Sequence, residues 1–200
     1  MIKYLALGDS YTKGESLPLA ENFPNQLVKI LQETNIEIYV DKIIAITGWT
    51  TDELAQAIYQ QQPSCDYDWV TLLIGVNNQY RGRSIEEYAW QFYGLLCQAI
   101  LFAKGNAQHV IVLSIPDWGL TPFNTTKDKI ETSESIDKFN AVNKMITEKM
   151  GCRYLDITSS TREHANDMQY LADDLLHYSS AEYHIWAKEI ARMMSADSKK

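Results

Sequence analysis

Nowhere does this chain hold the roughly 20 consecutive apolar residues that a membrane-spanning helix requires, so insertion into a bilayer is not expected. Basic residues are short as well: 18 Lys and Arg stand against 26 Asp and Glu, a formal net charge of -8. Nucleic acids and anionic membrane surfaces select clustered Lys and Arg, so neither is an expected partner. Cysteine is too sparse for a disulfide framework. Cys65, Cys97 and Cys152 are odd in number, far apart, and without a C-x-x-C or Cys/His spacing, which argues against both a stapled scaffold and a zinc site and leaves buried free thiols as the expectation. Internal repeats and low-complexity tracts are missing too. The first apolar run begins almost at Met1 and leaves no room for a signal peptide, so the expected location is the cytoplasm; a secreted protein freed of its leader would read the same.

What is present is the makings of one domain. A length of 200 residues with 46% hydrophobic content suits a single compact unit, expected over 1–195, with a loose tail at 196–200. Short apolar runs alternate with helical patterns. Tyr4 to Leu7 reads as a buried strand, and a helix from Pro24 turns Leu27, Ile30 and Leu31 to one face and ends near Asn35. Ile36 to Val40 is a second strand, with Asp41 to Ile46 leading to Gly48. A capping box of Thr50 and Glu53 starts a helix that Pro63 stops. Trp69 to Ile74 is a third strand, and Gly75 to Tyr80 a glycine-polar loop after it. Ser84 and Glu87 open a long helix through Tyr88, Phe92, Leu95, Leu96 and Ala99, closed by Gly105. His109 to Ile115 is a fourth strand, Pro116 to Thr132 a long irregular connection, and Ser133 to Met150 a helix. Arg153 to Ile157 is a fifth strand, Thr158 to Asp174 a polar loop, and a third capping box, Ser179 with Glu182, opens a last helix to Met194. Alternation of this kind predicts a three-layer α/β/α sandwich around a five-stranded parallel sheet.

In such a sheet the loops after the first three strands leave at one edge, the edge where open α/β sheets place ligands. They carry Gly8-Asp9-Ser10-Tyr11, Gly48, and Gly75-Val76-Asn77-Asn78. A serine there can be a nucleophile, or it can merely cap a helix; the former requires a base, an acid and oxyanion donors. Asp174 and His177, three residues apart before the last helix, supply an acid and a base. Together these motifs resemble the SGNH hydrolases, the GDSL esterase and lipase superfamily, whose markers are a serine, a glycine, an asparagine and a histidine. The resemblance spans the chain and implies a flavodoxin-like SGNH-hydrolase fold. It implies Ser10 as nucleophile, His177 as base, and Asp174 as the acid that orients it. The oxyanion hole it implies is the backbone N–H groups of Ser10 and Gly48 with the side-chain amide of Asn77. Two positions depart from the family pattern: Asn78 stands where Asp is usual, and Leu175 where a glycine commonly follows the acid.

A small carboxylic ester is the expected substrate, with carbohydrate O-acetyl esters, lysophospholipids and thioesters as alternatives within the class. The absence of a lid insertion favours short acyl chains. Asp9, Trp49, Asn78, Asp117, Trp118, Thr121 and Pro122 are the candidates for lining the substrate site. Asn77 and Asn78, leaving a strand in extended form, are expected to point to opposite sides, Asn78 tying the loop's own amides together. Trp69, Trp90 and Trp186 are expected in the core, and His109, His164 and His184 in structural roles. Asp173 beside Asp174 invites a glycosidase reading, but adjacent residues rarely face one cleft. His177 and His184 have no third ligand at metal spacing, so neither metal nor cofactor is expected. A flavodoxin-like phosphate-binding module is the rival from another class; it leaves Asp174 and His177 without a role and lacks a glycine-rich cradle.

Overall fold

The computed structural model describes residues 1–195, so the tail expected at 196–200 lies outside the described residues. Five strands, β1 (Ile2–Gly8), β2 (Ile38–Ala45), β3 (Trp69–Leu73), β4 (Val110–Leu113) and β5 (Arg153–Leu155), pair in parallel in the order β2-β1-β3-β4-β5. The central strands β1, β3 and β4 are buried on both faces, which is why they read as unbroken apolar runs. Thr71, the one polar residue in β3, is satisfied by the Tyr4 hydroxyl at 2.6 Å. On one side of the sheet α2 (Phe23–Glu33) packs on α8 (Ser180–Ser195). The right-handed crossovers carry α3 (Thr51–Gln61), α5 (Ile85–Phe102) and α6 (Lys129–Lys149) to the other, with α5 between the two others.

Several boundaries differ from expectation, each for a local reason. Strand β2 starts at Ile38 and runs to Ala45, because a bulge between Tyr4 and Leu5 of β1 absorbs Asp41 and lets the polar stretch continue along the sheet edge. The loop after β3 is a short helix, α4 (Val76–Tyr80), and residues from Thr158 form another, α7 (Thr158–Glu163). Helix α6 begins at Lys129 rather than Ser133, since Asp128 accepts the Glu131 amide at 2.9 Å and serves as the cap.

The third capping box is not formed. Ser179 Oγ donates to the Gln169 carbonyl at 2.6 Å, and Glu182 is fully buried. Its carboxylate receives Ser160 Oγ at 2.6 Å and Trp186 Nε1 at 2.8 Å and pairs with His164 Nδ1 at 2.6 Å, tying α7 to α8. Trp69 and Trp186 are in the core as expected, but Trp90 is 66% exposed, and of the three free thiols only Cys152 is buried, Cys97 being half-buried and Cys65 exposed. Trp90 shares the outer face of α5 with Tyr93 and Leu101, opposite the buried Tyr88, Phe92, Leu95 and Ala99.

Candidate active site

The site follows from strand register. Gly8 pairs laterally with Ala45 on one side and Leu73 on the other, so β1, β2 and β3 end at one level. Ser10, Gly48 and Asn77 follow those ends by only a few residues and leave the sheet together. A four-residue helix, α1 (Ser10–Lys13), starts at Ser10, with Asp9 Oδ1 capping it by accepting the Tyr11 amide at 3.0 Å. A Cβ on Gly8 would stand 2.1 Å from Thr12 Oγ1 and 2.5 Å from the Leu73 carbonyl, so glycine is what lets this turn fold back against the sheet. The turn tucks Ser10 in: it is only 4% exposed.

Gly48 has φ 86, a left-handed conformation that favours glycine, and here conformation rather than crowding is the reason for the residue. Its carbonyl accepts Arg81 Nη2 at 2.6 Å, and the next carbonyl, Trp49, accepts Asn77 Nδ2 at 2.9 Å. Asn77 and Arg81 are four apart, so the first turn of α4 and its C-terminal cap grip two successive peptides of the β2–α3 loop. Because α4 is helical, Asn77 and Asn78 are separated by about 100° around an axis, not by the alternation of an extended chain. Asn77 faces the cleft. Asn78 is buried and leans on α3: its Oδ1 accepts the Thr51 amide at 3.1 Å and its Nδ2 donates to Thr51 Oγ1 at 2.7 Å. It therefore ties two helices together instead of bracing its own loop.

Asp174 and His177 share a tight turn. Asp174 Oδ1 accepts the backbone amides of Leu176 at 3.0 Å and His177 at 2.8 Å, while Oδ2 lies 2.7 Å from His177 Nδ1. Ser16 Oγ donates to the same Oδ2 at 2.7 Å. Burial works against the carboxylate's charge, but the His177 ring, the two amides and the Ser16 hydroxyl outweigh it and hold Asp174 at about 2. Leu175 adopts φ 60, so the left-handed turn that a glycine would favour after the acid persists with leucine in its place. The Tyr11 ring stands 5.1 Å from the His177 ring.

Ser10, Gly48, Asn77 and His177 line one cleft of about 190 Å³ together with Tyr11, Thr47, Val76, Tyr80, Trp118, Phe123 and Leu176. Of the substrate-site candidates, only Trp118 lines it. Asp9 and Asn78 are buried beneath, and Trp49 contributes its carbonyl to Asn77. Asp117 is buried as well, accepting the Gly119 amide at 3.0 Å and Arg162 Nε at 2.9 Å, and Thr121 Oγ1 donates to the Trp118 carbonyl at 2.7 Å; both brace Trp118 from behind. Pro122 is not among the lining residues either; its neighbour Phe123 is. Two of the missed wall residues had a signal, since Tyr11 and Thr47 adjoin Ser10 and Gly48; Tyr80 reaches the cleft only because α4 is helical and sets it one turn beyond Asn77. Lys127 Nζ sits 4.6 Å above the Tyr80 ring and 5.3 Å above that of Trp118, backing the same wall. Among the described residues, no group of three or more His, Cys, Asp or Glu side chains could hold a metal ion.

Solved structures share this architecture. A lipase/acylhydrolase from Enterococcus faecalis superposes with a TM-score of 0.73 at 16% identity, covering 98% of this chain and 97% of its own. Axe2, an acetylxylan esterase from Geobacillus stearothermophilus, gives 0.72 at 22% identity over 96% of this chain and 93% of its own. The psychrotrophic esterase EstA from Pseudoalteromonas sp. gives 0.71 at 14% identity, with 100% of each chain covered. At these identities the likeness speaks to the fold. No curated protein matches the chain in sequence. The family model described as "GDSL-like Lipase/Acylhydrolase family" matches residues 6–185, nearly the whole chain and every element that meets at the cleft. The chain belongs to that family, and with it to the carboxylic ester hydrolases.

Proposed function

We propose that the protein is a serine esterase that cleaves small carboxylic esters through Ser10, His177 and Asp174. The carrying observation is the 2.7 Å pairing of His177 Nδ1 with a carboxylate whose other oxygen is held by two backbone amides, in a residue that shares a cleft with Ser10. With Nδ1 engaged by Asp174, Nε2 is the nitrogen left to take a proton. Ser10 Oγ attacks the acyl carbon as His177 Nε2 accepts its proton. The tetrahedral oxyanion is met by the N–H groups of Ser10 and Gly48 and by the Asn77 amide, whose second N–H is free once the first has gone to Trp49. His177 returns the proton to the departing alkoxide, leaving an acyl-Ser10 ester. Water then adds to that ester with His177 again as base, and Ser10 regains its proton as the acid departs.

The acyl group is a short one. A cleft of about 190 Å³, walled by Val76, Tyr80, Trp118 and Phe123, falls below the range typical of sites for drug-sized ligands and suits a short acyl group best. A carbohydrate O-acetyl ester is the second reading. It is favoured by the exposed rings of Tyr80 and Phe123 at the cleft, on which a sugar can stack, and by the acetylxylan esterase among the structural neighbours. A fluorophosphonate probe followed by peptide mapping tests the assignment: the label is expected on Ser10 and absent in Ser10→Ala. Turnover of p-nitrophenyl acetate by Ser10→Ala within about tenfold of wild type would overturn it.

A further inference from the structure

The 116–128 connection fixes its own backbone. Asp117 Oδ1 accepts the Gly119 amide at 3.0 Å, the Trp118 carbonyl accepts Thr121 Oγ1 at 2.7 Å, and Asn124 Nδ2 donates to the Gly119 and Lys127 carbonyls at 2.9 Å and 3.1 Å. None of these bonds involves the ring of Trp118, a residue that lines the cleft yet is only 2% exposed. An indole has one polar atom, the Nε1 donor, and here it donates to Gln79 Oε1 at 2.8 Å. The exposed rings of Tyr80 and Phe123 meet Trp118 edge-on at 5.0 Å and 6.5 Å, contacts whose broad geometry tolerates more tilt than that hydrogen bond does.

Gln79 stands on α4, two residues beyond Asn77, and two helical residues lie about 200° apart around the axis. The helix thus reaches to two sides at once: Asn77 to the Trp49 carbonyl of the β2–α3 loop, and Gln79 to the 116–128 connection. Lys127 Nζ fastens the second side by donating to the Tyr80 carbonyl at 3.2 Å. Five residues carry a cleft asparagine and the bond that orients an aromatic wall.

We propose that Gln79 is a positioning residue that selects for short acyl groups, acting through Trp118 and resting on the esterase reading above. Held by Gln79, the indole is the wall against which a longer acyl chain collides. Loss of the acceptor leaves a buried N–H unpaired, a penalty the ring relieves by tilting toward the water of the cleft it borders. The tilt moves the wall and admits a longer chain. A glutamine that merely satisfied a buried donor would affect stability and leave selectivity alone.

The test is kcat and KM for p-nitrophenyl acetate and p-nitrophenyl hexanoate, with melting temperature measured alongside. The leaving group is the same in both, so the ratio of the two kcat/KM values reports on the acyl wall. In Gln79→Met, close in volume but without the acceptor, the acetate-over-hexanoate ratio is expected to fall by about tenfold, mainly through a lower KM for hexanoate. Gln79→Glu keeps an oxygen acceptor and is expected to stay within about twofold of the wild-type ratio. Trp118→Phe has no N–H to hold, so adding Gln79→Met to it is expected to change the ratio by less than about twofold. A ratio unmoved in Gln79→Met, whatever happens to its melting temperature, overturns the proposal. So does an equal effect of Gln79→Met in the Trp118→Phe background. Fluorophosphonate labelling separates the two levels: labelled Ser10 with an unmoved ratio removes this inference alone, whereas unlabelled Ser10 removes the esterase reading and this with it.

Discussion

Asp9 sits next to Ser10 with one carboxylate oxygen capping α1 and the other, Oδ2, buried without a hydrogen-bond partner. Burial pushes it up from 3.8 to about 7 against the pull of its backbone hydrogen bonds, which corresponds to roughly 4 kcal/mol at the upper limit. A carboxyl raised on folding contributes stability that is complete below its ordinary value and lost as the pH climbs through the raised one. The protein is therefore expected to melt at lower temperature at pH 8 than at pH 5, and Asp9→Asn, which keeps a cap acceptor but carries no charge, should flatten that slope. Parallel melting curves for wild type and variant decide it; equal slopes would refute the buried-acid account. Asn77 and Asn78 differ in the same spirit. Asn77→Ala is expected to lower kcat by about a hundredfold to a thousandfold with a smaller change in KM, because the lost donor serves the transition state. Asn78→Ala removes two buried bonds to Thr51 and should first appear as a lower melting temperature. Ser16 belongs here too. It holds Asp174 from a backbone with φ 66, which glycine would adopt with less strain. Ser16→Gly should leave melting unchanged or raised while reducing kcat by about threefold to tenfold, modestly because water can replace an exposed hydroxyl. A variant that melts lower yet turns over normally would show the hydroxyl to be purely structural.

At the level of elements, the long segments were legible and the short ones were not. The strand runs of β1 and β3, the capping box of α3, the apolar face of α5 and the three-residue spacing of Asp174 and His177 all carry their signal locally, in period, cap or spacing. Helices α4 and α7 do not: five and six residues are too few for an apolar period to show, and α4 opens at Gly75 without a side-chain cap. Glu182 misled for a related reason. Its spacing from Ser179 fits a capping box, but the three donors that claim it, from Ser160, His164 and Trp186, include two brought near only by the tertiary fold. That cluster makes α7 and α8 one unit, and Glu182→Ala is expected to cost about 3 kcal/mol or more in urea denaturation, since it strands buried donors from both helices. A loss below about 0.5 kcal/mol would mean that the two helices are held by packing alone. The cleft walls were half legible: the polar donors follow from motif, whereas Tyr80 and Phe123 depend on how α4 and the 116–128 connection face each other.

For the whole molecule, the parallel order β2-β1-β3 brings Ser10, Gly48 and Asn77 from the first half of the chain to one edge, while Asp174 and His177 arrive on the connection into α8. Helix α8 seats itself through Trp186, whose ring meets those of Tyr183 at 4.9 Å and Tyr178 at 5.6 Å and which is almost completely buried. His177 stands three residues before α8 and next to Tyr178, so its final placement is expected to follow the docking of that helix. In refolding, recovery of ester hydrolysis is expected to keep pace with burial of Trp186, followed as the fluorescence difference from Trp186→Phe, and not with the earlier gain of secondary structure. The same dependence holds during synthesis. A ribosome releases Ser10 long before it has read His177, so on the proposed mechanism the nascent chain carries Ser10 without its base until the last of these elements is made. On the proposed mechanism, esterase activity is expected only once His177 has emerged and α8 has docked, and a chain stalled or cut short before residue 174 is expected to be silent however well its sheet has formed.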